Sequence, residues 1–496
     1  MTGELAMLRY VLAAALVALS ACPNTTNTPP PQPTPAAPKP AEKKVAPLEE
    51  FWVGDATTPG MRLTLGVQLK RDDKGTWTGT LDIPIQNARN LPLVDISSSG
   101  STLNFTLQLT GAPKAAWPVF EATVDETGFA KGTMKQGQLF PLALKRADAA
   151  AVAALWPKRP QTPKPPFPYE VVNVTYKHKS EAGVLGGTLT IPKGDGPFPA
   201  AILVTGSGSQ DRDETIAQHK PFLVIADYLT RAGVVVLRVD DRGVGQTTVS
   251  PRNSTVEAHA SDVETGIAKL RSHPKVDKAK VGVIGHSEGG MIAAMVAARD
   301  KTLGFAVSLA GPGVSGEVIN PLQAGLIAAA KGMPDKMVEQ LVEHQKKIMA
   351  AVAKDKSVED VAKLIEAAMQ VTAKGMPENQ MKAGAMVAAK GVTSAWFRSF
   401  VKFDPATYWK KVKKTPVLAL IGSKDLQVPA DVNLAAIGKS LKKARNKKVT
   451  LKKLDGLNHL FQTADKGLVE EYGTIEETFS PKALQLLGNW IISATK

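Results

Sequence analysis

The stretch Val281-Gly-Val-Ile-Gly285-His286-Ser287-Glu288-Gly289-Gly290 places a serine between glycines two positions before and two positions after it. An apolar run precedes the serine, and a helical pattern over residues 291–299 follows. This is the spacing of a nucleophile elbow. A sharp strand-to-helix turn lifts the serine hydroxyl clear of the backbone, and the small residues let strand and helix approach closely. The backbone N–H of Glu288 then points at a developing oxyanion, and the helix N-terminus adds partial positive charge there. The five-residue pattern alone is common. The predicted strand before it and helix after it give it weight.

A serine hydroxyl needs a base, and the base needs an orienting acid. The chain has seven histidines. His286 adjoins the serine and is expected to face into the fold. His178, His219, His259 and His273 precede the serine, and His344 lies in a helical insertion. His459 follows the last strand-like run, in Leu454-Asp-Gly-Leu-Asn458-His459-Leu-Phe461, and is the candidate base. Asp425 follows the run 417–421, where a parallel strand's carboxyl end would reach the active-site edge. It is the candidate acid. Asp455 competes by proximity, but it shares a loop with His459 and is badly placed to reach around the imidazole. A second oxyanion donor is expected from the glycine-rich loop Thr205-Gly206-Ser207-Gly208-Ser209. Ser207 and Gly208 are both candidates. That loop lacks the lysine and spacing of a phosphate-binding loop.

The elements that must position these residues are legible in the apolar pattern. Two alternating strands are predicted near 171–177 and 184–191. Continuous apolar runs follow at 200–205, 234–239, 281–285, 305–309, 417–421 and 449–454, with helical stretches between them. Such runs mark a parallel sheet buried on both faces. The insertion at about 316–410 reads as helices near 322–331, 335–353, 358–374 and 378–390. Ser357 is a predicted cap for one of them, and seven methionines stand from 333 to 386. The insertion's place in the chain suits a helical cap, with the methionines either shaping an acyl pocket or filling the core between helices.

Residues 48–147 alternate with period two and carry turn signals at Asp73-Lys74-Gly75, Ser99-Gly100-Ser101 and Glu126-Thr127-Gly128. They predict a small all-β domain, sandwich or barrel. That region has no histidine and no catalytic constellation. Proline-rich linkers are expected at 23–47 and 148–168. The hydrolase-like text runs over 169–496.

The net charge is +15, but the lysines are scattered and no zinc-finger spacing or basic aromatic array is present. Nucleic acid is not an expected partner. Cys22 is the sole cysteine, which excludes an internal disulfide and a cysteine metal cluster. It follows Arg9, an apolar run over residues 10–19, Ser20 and Ala21. These are the parts of a secretory signal over residues 1–22, with a stretch too short to span a bilayer. Leu19-Ser20-Ala21-Cys22 resembles the bacterial lipobox, which implies lipidation of Cys22, export and membrane anchoring.

The region from about residue 170 to the C-terminus resembles bacterial α/β-hydrolases grouped as serine aminopeptidase-like and dienelactone-hydrolase-like proteins. The motifs are Leu203-Val-Thr-Gly-Ser-Gly-Ser-Gln-Asp-Arg-Asp213, Asp240-Asp-Arg-Gly-Val-Gly245, Gly285-His-Ser-Glu-Gly-Gly290 and Asn458-His-Leu-Phe-Gln462. The Ser, acid, His order is that of the fold. The resemblance implies an α/β-hydrolase fold with a helical cap, hydrolysis of a small-molecule acyl ester or related bond, and neither cofactor nor metal. Gly206-Ser207 stands where lipases commonly have His-Gly, which argues against a typical lipase. A carboxylic ester hydrolase is the leading expectation. The alternatives are a peptidase or amidase with the same machinery, and a surface binding protein whose hydrolase domain is vestigial.

Overall fold

In a computed structural model, residues 48–496 are described, apart from 59–60, 87, 111 and 373–375. Cys22, the preceding apolar run and the first proline-rich segment lie outside the described residues. The chain divides between Lys158 and Arg159 into two compact units.

The first unit is a closed barrel of eight antiparallel strands in sequence order. They are β1 (Leu48–Thr58), β2 (Met61–Arg71), β3 (Trp77–Ile83), β4 (Ala88–Ser98), β5 (Thr102–Leu107), β6 (Val119–Val124), β7 (Phe129–Gln136) and β8 (Gln138–Ala147). Strand β8 pairs back onto β1, so no edge is left open. Alternation decides what lies inside. Leu63, Leu65, Val67 and Leu69 of β2 all point into a core with Trp52, Leu81, Leu103 and Leu144. Phe105 and Phe120 stack there with centroids 4.6 Å apart. Each such fully buried side chain contributes about 1.5–3 kcal/mol.

The expected linker 148–168 is not a plain spacer. Asp148 caps a short helix α1 (Ala149–Ala154) by accepting the Ala151 N–H. Trp156 donates its indole N–H to Asp82 of the barrel at 2.6 Å. On the other side of the division, Arg159 donates to the carbonyls of Ala217, Gly473 and Ile475. Gln161 bonds both ways with the Thr478–Phe479 backbone. Arg159 and Gln161 lie between prolines, and Trp156 stands directly before the first of them.

The second unit holds β9 (Glu170–Lys177), β10 (Val184–Ile191), β11 (Phe198–Val204), α2 (Pro221–Arg231), β12 (Val235–Val239), α3 (Val256–Arg271), β13 (Val276–His286), α4 (Glu288–Arg299) and β14 (Phe305–Leu309). Then come α5 (Gly316–Ala330), α6 (Asp335–Ala353), α7 (Val358–Thr372), α8 (Glu378–Val392), α9 (Ala395–Lys402) and α10 (Ala406–Trp409). The chain finishes with β15 (Val417–Gly422), α11 (Ala430–Lys443), β16 (Val449–Leu454), α12 (Val469–Tyr472) and α13 (Pro481–Ala494).

All eight expected strands form one sheet in the order β16-β15-β14-β13-β11-β12-β10-β9. Strand β10 pairs antiparallel with both β9 and β12, and the pairs from β12 to β16 are parallel. The central strands read as continuous apolar runs because both faces are covered. Ala200, Ile202 and Val204 of β11 join one core with α3 and α4 residues, and Ala201 and Leu203 join another with Phe222 and Leu487. The strand order reverses between β11 and β13, which opens a crevice at their carboxyl ends.

The insertion between β14 and β15 is helical. It has five principal helices, α5 to α9, where four were expected. Ser357 accepts the Asp360 N–H and so starts α7. Met349 and Met369 are fully buried, and Met337, Met381 and Met386 pack against the same core. Filling between helices accounts for these five methionines. Among the described residues no helix is long and apolar enough to cross a membrane.

One buried histidine gives the fold a pH dependence. His219 is fully buried, with Nε2 2.9 Å from both the Tyr472 carbonyl and the Gln462 amide nitrogen and Nδ1 2.8 Å from the Thr478 hydroxyl. Burial, reinforced by nearby Arg159, pushes its pKa down from 6.5 to about 4. The unfolded chain therefore takes up this proton first. The contribution is intact above pH 6.5 and is lost as pH falls from 6.5 to 4, amounting to about 3 kcal/mol. Urea midpoints measured at several pH values should fall across this window, and His219→Gln should flatten that slope.

Candidate active site

The elbow is forced by close approach. Ser287 has φ 52° and ψ −119°, a conformation disfavoured for a residue with a side chain. An ideal Cβ on Gly285 would lie 1.9 Å from the Gly289 carbonyl oxygen, and one on Gly289 would lie 2.2 Å from that of Val204. Only glycine lets β13, α4 and the end of β11 meet at these distances. Ser287 stands at the N-cap of α4, where a serine ordinarily accepts a helix N–H. Here it makes no such bond. Its Oγ lies 3.0 Å from His459 Nε2 instead.

His459 follows β16 and is 4 % exposed. Its Nδ1 lies 2.8 Å from Asp425 Oδ2. The other carboxylate oxygen of Asp425 accepts the N–H groups of Gln427 and Val428 at 2.9 and 2.8 Å, so the acid is locked by its own turn after β15. With Nδ1–H directed at a carboxylate, Nε2 carries the lone pair and can accept from the Ser287 hydroxyl. The base loop is fixed separately by Asn458, whose Oδ1 accepts from Leu460 and Gln462. Asp455 is exposed and bonded to Ser423, away from His459. The structure thus brings Ser287, Asp425 and His459 from three loops into one hydrogen-bonded line.

Two backbone N–H groups beside Ser287 are already committed. That of Ser287 goes to Leu309 at 2.9 Å, and that of Gly206 to Glu214 at 2.7 Å. The Glu288 N–H lies in the first turn of α4, where no intrahelical acceptor exists. Gly206 places the loop after β11 against Ser287, its ideal Cβ being 3.2 Å from Ser287 Cβ, whereas a Cβ on Gly208 meets nothing closer than Gln210 Nε2 at 3.8 Å. Of the two loop candidates, Ser207 is the one adjoining that contact.

The motifs around the site are backbone clamps. Asp241 accepts from Thr205 Oγ1 and the Gln210 N–H, both at 2.8 Å, which fixes the loop after β11. Burial raises its pKa to about 7. Asp240 accepts from the backbone of Arg212 and Gln246 and from the Arg212 side chain. Arg242 forks onto Glu181 and Asp262.

The sequence reading missed two sets of partners. Glu288 is buried and accepts from Trp396 Nε1 of α9 at 3.0 and 3.1 Å, and His259 Nδ1 lies 3.7 Å from it. Glu214 and His286 are paired at 2.9 Å. Neither partner carries a spacing signal. Both lie far in sequence from the residues they serve.

Residues 219–463 match the family described as serine aminopeptidase, S33. Over 276 residues the chain is 31% identical to esterase EstD of Thermotoga maritima, covering 56% of this chain and 58% of that protein. Over 166 residues it is 28% identical to esterase FrsA of Klebsiella pneumoniae, covering 31% of this chain and 37% of that protein. Each of these is a likeness, and the chain spans 58% or less of the length of these two relatives. The Pyrococcus furiosus esterase Pf2001 structure aligns with 69% of this chain and 98% of its own, at 15% identity and a TM-score of 0.41. The second unit contains every residue of the site described above.

Gly289→Ala should displace the elbow at a cost of about 1–3 kcal/mol or more. Gly473→Ala, where a Cβ meets nothing within 4 Å, should cost little. Thermal unfolding of both variants checks the contrast.

Proposed function

We propose that the protein hydrolyses carboxylic esters of small molecules through an acyl-enzyme on Ser287. The observation that carries this reading is the line Ser287 Oγ, His459 Nε2, His459 Nδ1, Asp425 Oδ2, with contacts of 3.0 and 2.8 Å. Ser287 Oγ attacks the ester carbonyl carbon and its proton passes to His459 Nε2. Asp425 holds the imidazole in the required tautomer and stabilises the imidazolium. The N–H groups of Glu288 and Ser207 receive the negative oxygen, helped by the α4 N-terminus. Collapse breaks the C–O bond, and the departing alcohol takes the proton from His459. Water then attacks the acyl-enzyme with His459 as base, which releases the acid and restores Ser287. The esterase names of two relatives support the ester reading. The family description supports a second reading, a peptidase or amidase on the same residues.

The lipobox-like Leu19-Ser20-Ala21-Cys22 supports export and lipid anchoring at Cys22. Palmitate incorporation that disappears in Cys22→Ser is the expected result.

A fluorophosphonate probe should label the intact protein and fail to label Ser287→Ala. Asp425→Asn should lower kcat by about 10⁴-fold. Short-chain and long-chain p-nitrophenyl esters compared with aminoacyl anilides distinguish the two readings, and faster turnover of the esters is expected. Wild-type protein that takes no probe would reject both.

A further inference from the structure

Three separate loops must agree in position for the proposed chemistry to work. One presents Ser207 after β11, one presents Ser287 after β13, and one presents His459 after β16. A single buried chain of polar groups crosses all three. Glu214 Oε1 accepts the Gly206 N–H at 2.7 Å and lies 2.9 Å from His286 Nδ1. His286 Nε2 lies 3.0 Å from the His459 carbonyl oxygen. That oxygen can only accept, so Nε2 carries a hydrogen, and a further proton is shared between Nδ1 and the carboxylate. Glu214 is 1 % exposed and His286 5 %. Burial opposes the imidazolium charge, but Glu214 outweighs it and holds the His286 pKa above its ordinary value. Glu214 itself has φ 52°, so its backbone is held in a region that glutamate rarely occupies.

A buried ion pair is a poor source of net stability, because desolvation offsets the attraction and an apolar pair of similar size serves as well or better. Stability therefore does not account for placing charge here. Geometry does. The Gly206 N–H adjoins the peptide that carries the Ser207 N–H, and the His459 carbonyl belongs to the base itself. We propose that Glu214 and His286 are a positioning pair, which registers the oxyanion loop and the base loop against the nucleophile. The inference rests on the reading of Ser287 and His459 given above.

The test compares wild type, Ser287→Ala, Glu214→Gln, Glu214→Ala and the double variant Glu214→Met/His286→Phe. Each is followed by kcat and KM on a short-chain p-nitrophenyl ester and by urea unfolding. The single variants should keep KM within about threefold and lose about 100-fold in kcat, the size of one misplaced oxyanion donor. Glu214→Gln, which keeps an acceptor for Gly206, should lose less than Glu214→Ala. The double variant removes both charges and should regain stability lost by the single variants. Its kcat should stay low despite that recovery. A double variant that recovers stability and kcat together would overturn the proposal, as would folded single variants with kcat within threefold of wild type. Wild type that neither turns over the ester nor differs from Ser287→Ala would remove the underlying reading, a result distinct from the others.

Discussion

The backbone of Ser287 is the constraint on which the second unit depends. A residue at φ 52° and ψ −119° costs on the order of 1–3 kcal/mol and persists only where its surroundings over-determine it. The surroundings here are β13 paired on both sides, helix α4 buried along its length, and two glycines packed against backbone oxygens. The same arrangement turns the serine away from its usual helix-capping bond. Its hydroxyl is then available to a histidine 172 residues further along the chain. The rigid sheet therefore acts through one strained residue, and the loops around it need only bring their groups to that fixed point.

Around the elbow, charge is handled by pairing rather than exposure. Asp240, Asp241 and Arg242 sit side by side after β12, and each is bound to a different partner: Arg212, the 205–210 loop, and the Glu181–Asp262 pair. Carboxylates that accept backbone N–H groups convert a glycine-rich loop, free to take many conformations, into one with a single shape. The net charge of +15 plays no part in this. Among the described residues no lysine is buried, while the charges that shape the site are mostly arginine and carboxylate.

Much of the second unit was legible in the sequence because burial on both faces leaves an unbroken apolar run, and six such runs with two alternating segments gave its eight strands. Ser287, Asp425 and His459 were legible for a related reason: each follows a strand, so position along the chain translated into position at the sheet edge. Other features lacked such a rule. The closure of β8 onto β1 joins residues nearly a hundred positions apart, and alternation alone suits sandwich and barrel equally. Helix α9 is short and aromatic, with Trp396, Phe397 and Phe400 in mutual contact, and its eight residues give little periodicity to detect. Glu214 sits in an irregular loop where any carboxylate reads as a turn residue. His286 offered no partner until Glu214 was folded against it. Ser207 and Gly208 stand alike in the sequence, and only the assembled fold sets Gly206 against Ser287.

The helical insertion leaves β14 and re-enters at β15, and these two strands remain directly paired from Ala306–Val417 to Leu309–Leu420. The segment 310–416 thus hangs from adjacent points on an uninterrupted ladder. The ladder constrains only the two ends of the insertion, so its length is free of sheet register even though its helices share a core with α4. Among the points where the insertion meets the rest of the unit are Trp396 on Glu288, Ser399 on the Val256 N–H and Lys331 on Glu470. A replacement insertion would have to offer an equivalent donor to the buried Glu288 carboxylate or arrive with a different residue after the serine.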